Sequence, residues 1–302
     1  MGKLIAFGWY GGKFNHLNWL LPLLPEATHY CEPFGGSAAV LLNRQPASLE
    51  TYNDLDGEVV NFFQVLREKQ EELIQAIALT PFSREEFRLS LEQSSNIPNL
   101  ERARRFFVRA RQVRTGLAQT ASEGRWAHCK LTSRAGMAAA VSRWLGSVEG
   151  LSEIVQRLLR VQIENDSAMA IIKRYDSKET LFYCDPPYPH DSRSDSKAYG
   201  YEMTKEDHQN LADLLHQVSG KVAISGYHSM LMDELYRDWH YVEAPSKKAH
   251  STNTRASKEK RDRVEVLWTN YQIQDNTSQC QTQKKSLTIA SKSHQLTLDN
   301  LW

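Results

Sequence analysis

Short apolar runs alternate with amphipathic stretches along most of this chain, which is the pattern of an α/β protein. Apolar and β-branched runs predict strands over residues 28–34, 48–53, 161–165, 180–184 and 221–225, with 241–244 and 264–268 completing the sheet. Helical periodicity predicts helices over residues 38–43, 57–67 and 168–175, and a capping box at Thr204 and Asp207 starts another that runs to residue 217. Because strands and helices alternate, we expect a mostly parallel, twisted sheet.

Residues 81–159 interrupt this alternation. The period stays helical over residues 103–114 and 137–145, and no convincing strand is predicted between Pro81 and Arg160. We therefore expect a discontinuous α/β domain, residues 1–80 and 160–271, that carries a mainly helical insertion, residues 81–159. Residues 272–302 are rich in Gln, Ser, Thr and Lys and are predicted to form a polar tail.

Charge is distributed unevenly along the chain. The formal net charge is only +1, but residues 101–160 carry twelve Lys and Arg against four Asp and Glu. Residues 246–263 carry seven against two. Arginines outnumber lysines eleven to one in the first segment. Because arginine forks suit phosphate oxygens and guanine edges, these two segments favour contact with a nucleic acid.

The composition is that of a soluble globular protein, with 41% hydrophobic and 24% charged residues. No apolar stretch reaches the length of a membrane span, and the amino terminus lacks a signal-peptide pattern, so we expect a cytoplasmic protein. The cysteines, Cys31, Cys129, Cys184 and Cys280, are widely scattered and have no partners at zinc spacing. We expect reduced thiols and no metal site.

Asp185, Pro186, Pro187 and Tyr188 form the most informative motif, at the end of an apolar strand. The Asp185 carboxylate and the carbonyl of Pro186 supply two acceptors, which match the two hydrogens of an exocyclic amine. The prolines stiffen the loop, and the Tyr188 ring can stack on the heterocycle that carries the amine. Taken alone, the motif could also be an ordinary strand end with a proline turn.

A glycine turn follows the first predicted strand, in Glu32-Pro33-Phe34-Gly35-Gly36-Ser37. Glycines between a strand and a helix let a ligand approach the backbone closely. Asp54 ends the next strand, where an acid can accept hydrogen bonds from the hydroxyls of a ribose. Because the spacing is not Gly-x-Gly-x-x-Gly, a nucleoside without a pyrophosphate fits better than NAD.

A third motif, Trp9-Tyr10-Gly11-Gly12-Lys13, lies near the amino terminus. Its two glycines allow a tight bend against a ligand. Lys13 brings a cation that can meet a carboxylate, and Trp9 could cover an adenine ring. By itself this motif is better explained by a surface glycine turn with a solvated lysine than by a ligand site.

Together the three motifs describe two ligands at the carboxyl ends of parallel strands: one with a ribose, an aromatic ring and a carboxylate, the other a flat ring with an amine. S-adenosylmethionine and an extruded adenine or cytosine satisfy these descriptions. In this order the motifs resemble those of the Dam-type N6-adenine DNA methyltransferases, over about residues 5–80 and 160–270. Asp166, in Ile163-Glu164-Asn165-Asp166, is similar to the family's third motif, and residues 264–271 are similar to its closing strand.

The resemblance implies a Rossmann-like methyltransferase fold with an antiparallel last strand, and an insertion that recognises DNA. It implies methyl transfer from S-adenosylmethionine to N6 of a flipped adenine in double-stranded DNA. The catalytic residues would be Asp185, Pro186, Pro187 and Tyr188. Binding of S-adenosylmethionine would involve Trp9, Lys13, Glu32, Phe34, Gly35, Asp54, Asp166 and Asp185. From the basic segments, the candidate DNA contacts are Arg111, Arg114, Arg125, Arg134, Lys247 and Lys248.

The middle of the chain departs from this family. Residues 81–160 do not show the recognition hairpin of the GATC-specific enzymes, although residues 112–120 and 125–134 are candidates for a base-reading loop. The target sequence therefore stays open, as does pairing with a cognate restriction enzyme, and we expect a monomer. The remaining alternatives are amino-methylation of cytosine N4, RNA or a protein glutamine, a DNA-binding module without catalysis, and a nicotinamide oxidoreductase.

Overall fold

A seven-stranded sheet forms the centre of the molecule. The computed structural model describes residues 2–92, 96–114, 118, 121–189, 202–245 and 264–273. In chain order, the strands of this part are β1 (His29–Glu32), β2 (Leu49–Asn53), β3 (Ser133–Arg134), β4 (Met137–Ala138), β5 (Gln162–Glu164), β6 (Thr180–Cys184), β7 (Lys221–Tyr227), β8 (His240–Glu243) and β9 (Glu265–Thr269).

The large sheet has the strand order β5-β2-β1-β6-β7-β9-β8. The neighbours from β5 to β7 all pair in parallel, whereas β9 runs antiparallel to both β7 and β8. The predicted mostly parallel sheet with an antiparallel last strand is therefore confirmed. Each predicted strand of the sheet is present, and the observed strands begin and end within a few residues of the predicted bounds.

Helices cover both faces of the sheet. In chain order they are α1 (Leu17–Leu20), α2 (Ala39–Asn43), α3 (Gly57–Glu68), α4 (Gln70–Leu79), α5 (Arg84–Leu91), α6 (Asn99–Gln112), α7 (Ala139–Glu149), α8 (Leu151–Leu158), α9 (Ala168–Tyr175), α10 (Lys205–Leu215) and α11 (Met230–Leu235). Short 3₁₀ helices occupy Lys13–His16, Leu21–Leu23 and Glu123–Arg125. The predicted capping box at the start of α10 is present, because Thr204 and Asp207 bond each other reciprocally.

The hydrophobic core consists of two clusters, and alternate residues of a strand belong to different clusters. On β6, Leu181 and Tyr183 belong to the larger cluster, with side chains from α2, α3, α4, α6 and α8. Phe182 and Cys184 belong to the other, with side chains from α9, α10 and α11. Because successive side chains of a strand point to opposite faces, the fold has three layers, helix, sheet and helix.

The insertion packs directly onto the α/β core. Helix α6 lies against α3, and Phe62 of α3 stacks on Phe107 of α6 with ring centroids 5.5 Å apart. Residues 1–271 accordingly group as one compact unit. The proposed division at residues 81–159 stays a prediction, because the insertion shares the larger hydrophobic cluster with the α/β part.

Much of the positive charge in the insertion is used within the fold. Arg102 pairs with Glu58 of α3, and Arg104 and Arg105 both pair with Glu101 one turn earlier. Three further arginines donate to backbone carbonyls: Arg109 to Ser90, Arg111 to Ile5 and Ala6, and Arg157 to Leu41. The charge of residues 101–160 is therefore partly a structural network, and counting charges along the sequence overstated the surface available to DNA.

A short β-hairpin, β3–β4, corrects the expectation that residues 81–160 contain no strand. Ser133 pairs with Ala138 and Arg134 with Met137, and all four are exposed. The turn residues Ala135 and Gly136 have φ angles of 51° and 75°, as a two-residue hairpin turn requires. Strands of two residues carry too little alternation to be predicted from hydrophobic pattern.

Some predictions concern residues outside the described ranges. They include the candidate DNA contacts Lys247 and Lys248, Cys280 and nearly all of the polar tail. Among the described residues no helix is long and apolar enough to cross a membrane.

Candidate active site

A cavity of about 370 Å³ opens at the carboxyl ends of β1, β2 and β6. Parallel strands bring the loops that follow them to one edge of the sheet, so three motifs distant in sequence meet there. The lining residues include Trp9, Lys13, Glu32, Phe34, Gly35, Gly36, Asp54, Asp185 and Pro187, with Ser167–Met169, Met203 and Asn210 on the remaining walls.

The glycine turn after β1 is fixed by the end of β2. The Gly35 amide donates to the carbonyl of Asn53 at 2.7 Å, and the Tyr52 hydroxyl donates to the carbonyl of Gly36 at 2.7 Å. A Cβ at Gly35 would lie 2.2 Å from the Tyr52 ring, and Gly36 has a φ of +49°. Glycine is required at both positions, for close approach at the first and for the left-handed backbone at the second.

Asp54 closes one end of the cavity. Its carboxylate accepts hydrogen bonds from the amides of Gly36 and Asp56, at 2.7 and 2.8 Å. Burial nevertheless raises the pKa of this carboxyl to about 6. The carboxylate is therefore ionised at neutral pH and available as an acceptor.

Trp9 covers the glycine turn from the amino-terminal side. Its ring lies edge-on to Phe7, with centroids 5.8 Å apart, and also contacts Phe106 of α6. A Cβ at Gly36 would approach the indole Nε1 to 2.7 Å. The indole is half-buried and fixed by these contacts, so it forms a rigid apolar wall of the cavity.

Lys13 is buried and pairs with the Asp185 carboxylate. Its ammonium lies 2.7 Å from both carboxylate oxygens and donates to the carbonyl of Gly11 at 2.8 Å. It also lies 3.3 Å from Oε1 of Glu265. We expected Lys13 to meet the carboxylate of a ligand, but its ammonium joins two acids of the protein instead.

Asp185 follows β6 directly and faces the cavity. Burial raises the pKa of its carboxyl, and the ion pair with Lys13 is the largest influence in the opposite direction. Lys13 therefore favours the ionised, acceptor form of a carboxyl whose burial favours the neutral form.

Tyr188 is folded inward rather than presented to the cavity. It is only 4% exposed, and its hydroxyl donates a hydrogen bond to Glu265. Its ring lies edge-on to Tyr227, with centroids 4.9 Å apart, and the Lys13 ammonium is 5.0 Å from its centroid. The ring that was predicted to stack on a heterocycle is covered in this arrangement, so stacking requires a rearrangement of this loop.

Glu32 is a buried acid at the end of β1. It is 2% exposed and accepts a hydrogen bond from the Tyr30 hydroxyl at 2.6 Å. Burial raises the pKa of its carboxyl to about 8. At neutral pH the group is therefore largely protonated, which makes it a potential donor toward the cavity.

The sequence of the chain matches a family model. The model for D12 class N6 adenine-specific DNA methyltransferases matches residues 9–253, most of the chain. The chain belongs to this family. Among solved structures it is similar to the rRNA methyltransferase aviRa from Streptomyces viridochromogenes, with 11% sequence identity and a TM-score of 0.31 over 84% of this chain and 81% of that one.

Membership in the D12 class of methyltransferases implies a methyl donor of the S-adenosylmethionine type, and the cavity fits such a group. Asp54 and Asp185 supply carboxylates, which suit ribose hydroxyls and the positive charge of a sulfonium, and Glu32 adds a neutral carboxyl that can donate a hydrogen bond. Trp9 and Phe34 add aromatic walls for a base. Among the described residues no group of His, Cys, Asp or Glu is arranged to hold a metal ion.

The structure places the carboxylate of Asp166 outside the lining of the cavity. Its two oxygens accept from Arg174 at 2.9 Å and from the amide of Ser167 at 2.7 Å. Its backbone is tied to β2, because the Asp166 amide donates to the side chain of Asn53 at 2.9 Å. The three residues after it, Ser167–Met169, line the cavity instead.

The candidate DNA contacts differ in their exposure and in their contacts within the protein. Arg114 and Arg134 are exposed, and Arg125 is half-buried. Arg111 is half-buried with its guanidinium on the carbonyls of Ile5 and Ala6. Because the guanidinium is turned inward, with Nη2 donating to the amino-terminal segment, we do not retain Arg111 among the DNA contacts proposed below.

Sequence reasoning missed Glu265 as a residue of the site. It lies at the start of β9, is 4% exposed, and contacts both Lys13 and Tyr188. The available signal was a single acid in the otherwise apolar run Val264-Glu265-Val266-Leu267-Trp268, since a buried charge inside a sheet needs a partner. The α10 contributions, among them Asn210, had no comparable signal.

Proposed function

We propose that the protein transfers the methyl group of S-adenosylmethionine to N6 of an adenine in double-stranded DNA. The observation that carries the proposal is the ion pair of Lys13 with Asp185, 2.7 Å apart, in the lining of the cavity. It joins the amino-terminal motif to the loop that follows β6, in a chain that belongs to an adenine-specific family.

The cavity residues bind and orient the donor. Asp54, ionised above a pKa of about 6, accepts hydrogen bonds from the ribose hydroxyls. Trp9 packs against the adenine ring of the donor, and the Gly35-Gly36 backbone allows its close approach. Bound S-adenosylmethionine supplies an electrophilic methyl group on a sulfonium, which needs no metal and no covalent enzyme intermediate.

Asp185 and Pro186 activate the nucleophile. The lone pair of N6 is delocalised into the adenine ring, so the amine is a poor nucleophile until its nitrogen becomes tetrahedral. The Asp185 carboxylate and the carbonyl of Pro186 accept hydrogen bonds from the two N6 hydrogens and favour that geometry. As the N–C bond forms and the S–C bond breaks, S-adenosylhomocysteine would leave, and the surplus proton on N6 would pass by way of Asp185 to solvent. The ion pair with Lys13 favours the ionised form of Asp185, and Pro187 keeps the loop rigid. The Tyr188 ring stacks on the flipped adenine after the loop rearranges to uncover it, while its hydroxyl stays on Glu265.

The exposed hairpin β3–β4 is the part of the insertion that we assign to DNA recognition. Its turn projects Arg134 and Met137 from the protein, and Met137 is 39% exposed. An arginine at a hairpin tip can reach a guanine edge in the major groove. We assign phosphate contacts to Arg114 and Arg125, and to Lys247 and Lys248 of the second basic segment.

The direct test is methyl transfer with labelled S-adenosylmethionine to double-stranded DNA, followed by nucleoside analysis of the product. The proposal predicts label in N6-methyladenine. Label in N4-methylcytosine, or transfer to RNA but not to DNA, would instead favour the alternative amino-methyltransferases. Label in neither nucleic acid from a folded protein would refute the proposal.

A further inference from the structure

Glu265 is a buried acid that the proposed mechanism leaves without a role. It begins β9 and pairs in register with Tyr227 of the neighbouring strand β7. It is 4% exposed, its carboxylate accepts from the Tyr188 hydroxyl, and its Oε1 lies 3.3 Å from the Lys13 ammonium. Acids are rarely buried in apolar strands. Because Glu265 contacts both the catalytic loop and the amino-terminal motif, we infer a role beyond core packing.

Lys13 couples Glu265 to Asp185. Its ammonium lies 2.7 Å from each oxygen of Asp185, and Glu265 is its second carboxylate neighbour. Two acids that share one buried cation would repel each other without it. A change of charge at Glu265 must therefore alter the field that Lys13 and Asp185 experience.

Tyr188 is held from two sides by adjoining strands. Glu265 of β9 accepts from its hydroxyl, and Tyr227 of β7 packs edge-on to its ring, with an angle of 82° between the two planes. Because Tyr227 and Glu265 are register partners, the pairing of β7 with β9 sets where both the hydroxyl and the ring of Tyr188 lie.

We propose that Glu265 is a positioning residue for methyl transfer, which fixes the Tyr188 ring through its hydroxyl and the Asp185 carboxylate through Lys13. This inference rests on the proposed function and deepens it. Glu265 does not touch either substrate; it determines the geometry of two residues that do. Loss of its charge should therefore lower kcat more than it raises KM for S-adenosylmethionine.

The pH dependence of kcat provides a second test, because it depends on the charges around Asp185. Burial raises the pKa of Asp185 most, Lys13 lowers it, and Glu265 raises it. The hydroxyl of Tyr188 also lowers it. Glu265→Gln removes one raising influence while keeping an oxygen that can accept from Tyr188. The acid limb of the kcat profile should move to lower pH, which a loss of packing alone would not cause.

The experiment is a double-mutant cycle in the full chain with Glu265→Gln, Tyr188→Phe and the double variant, using steady-state methylation of duplex DNA. We expect each single variant to lose roughly ten- to a hundredfold in kcat, which is the rate change that corresponds to one hydrogen bond to a charged group. Tyr188→Phe removes the Tyr188 to Glu265 hydrogen bond, and Glu265→Gln removes the charge that strengthens it. Because both changes act on this one bond, the double variant should lose less than the product of the single losses. Glu243→Gln is the matched control, since Glu243 is an exposed acid on the adjacent strand β8.

The same cycle measured on urea unfolding of the protein alone reports the Tyr188 to Glu265 coupling without any activity. Wild-type kcat and an unmoved pH profile in Glu265→Gln would overturn the inference, as would fully multiplicative losses in the double variant. If Glu265→Gln fails to fold, wild-type kcat in Tyr188→Phe overturns it instead. A wild-type chain that methylates no adenine would refute the proposed function itself, which separates the two failures.

Discussion

Glu32→Gln should make the cofactor-free protein more stable at alkaline pH. Burial raises the pKa of Glu32 from 4.5 to about 8, so the folded state binds this proton more tightly than the unfolded chain does. The stability that comes from the neutral group is complete below pH 4.5 and is lost as the pH rises to about 8. At about 1.4 kcal/mol per pKa unit, the full loss is roughly 5 kcal/mol.

Glutamine keeps an oxygen that can accept from the Tyr30 hydroxyl but cannot ionise. The free energy of unfolding in urea should therefore shift in favour of Glu32→Gln over the wild type by about 3 kcal/mol between pH 5.5 and 8.5. Glu206→Gln, which alters an exposed acid at the start of α10, should show no such shift. Parallel stabilities of Glu32→Gln and the wild type across this range would show that Glu32 is not held neutral in the fold.

Further predictions concern the cofactor, the glycine turn and the DNA. Asp54→Asn should weaken S-adenosylmethionine binding roughly tenfold or more at pH 7.5. In the wild type, calorimetry should show the affinity for S-adenosylmethionine falling as the pH drops through the Asp54 pKa of about 6. An affinity that does not depend on pH would contradict this. Gly35→Ala should cost about 1–3 kcal/mol of unfolding free energy by overpacking, whereas Gly146→Ala in α7, where nothing lies within 4 Å of the new Cβ, should cost nothing. Arg134→Ala should relax the preferred DNA sequence, whereas Arg114→Ala should weaken binding uniformly and reduce the salt slope by about 1; the reverse pattern in salt-dependent binding assays would contradict both assignments.

The sheet and the location of the site could be predicted because they depend on local pattern and chain direction. An apolar run defines β6, and the glycine turn after β1 and the acid after β2 mark where those strands end. Parallel strands bring the residues after them to one edge of the sheet. Gly35, Asp54 and Asp185 therefore meet at one cavity, as their positions after these strands indicate. Family membership agrees with the resemblance that the same motifs carry.

The partners of individual side chains could not be predicted in the same way. Lys13 pairs with Asp185 and Glu265, which lie far from it along the chain, and Tyr188 is covered through contacts with β7 and β9. These contacts depend on three-dimensional packing that no local spacing encodes. The arginine-rich helix α6 illustrates the same limit, since Arg104 pairs with acids of α5 and α6 rather than facing solvent.

The most direct measurement of the central claim is to express the chain in a host that lacks DNA methylation and to map modified bases at single-nucleotide resolution. The wild type should place N6-methyladenine within one short recurring sequence. Asp185→Ala, which removes the acceptor paired with Lys13 at 2.7 Å, should leave the DNA unmodified while the protein remains folded. N4-methylcytosine in place of N6-methyladenine, or undiminished methylation by Asp185→Ala, would contradict the account.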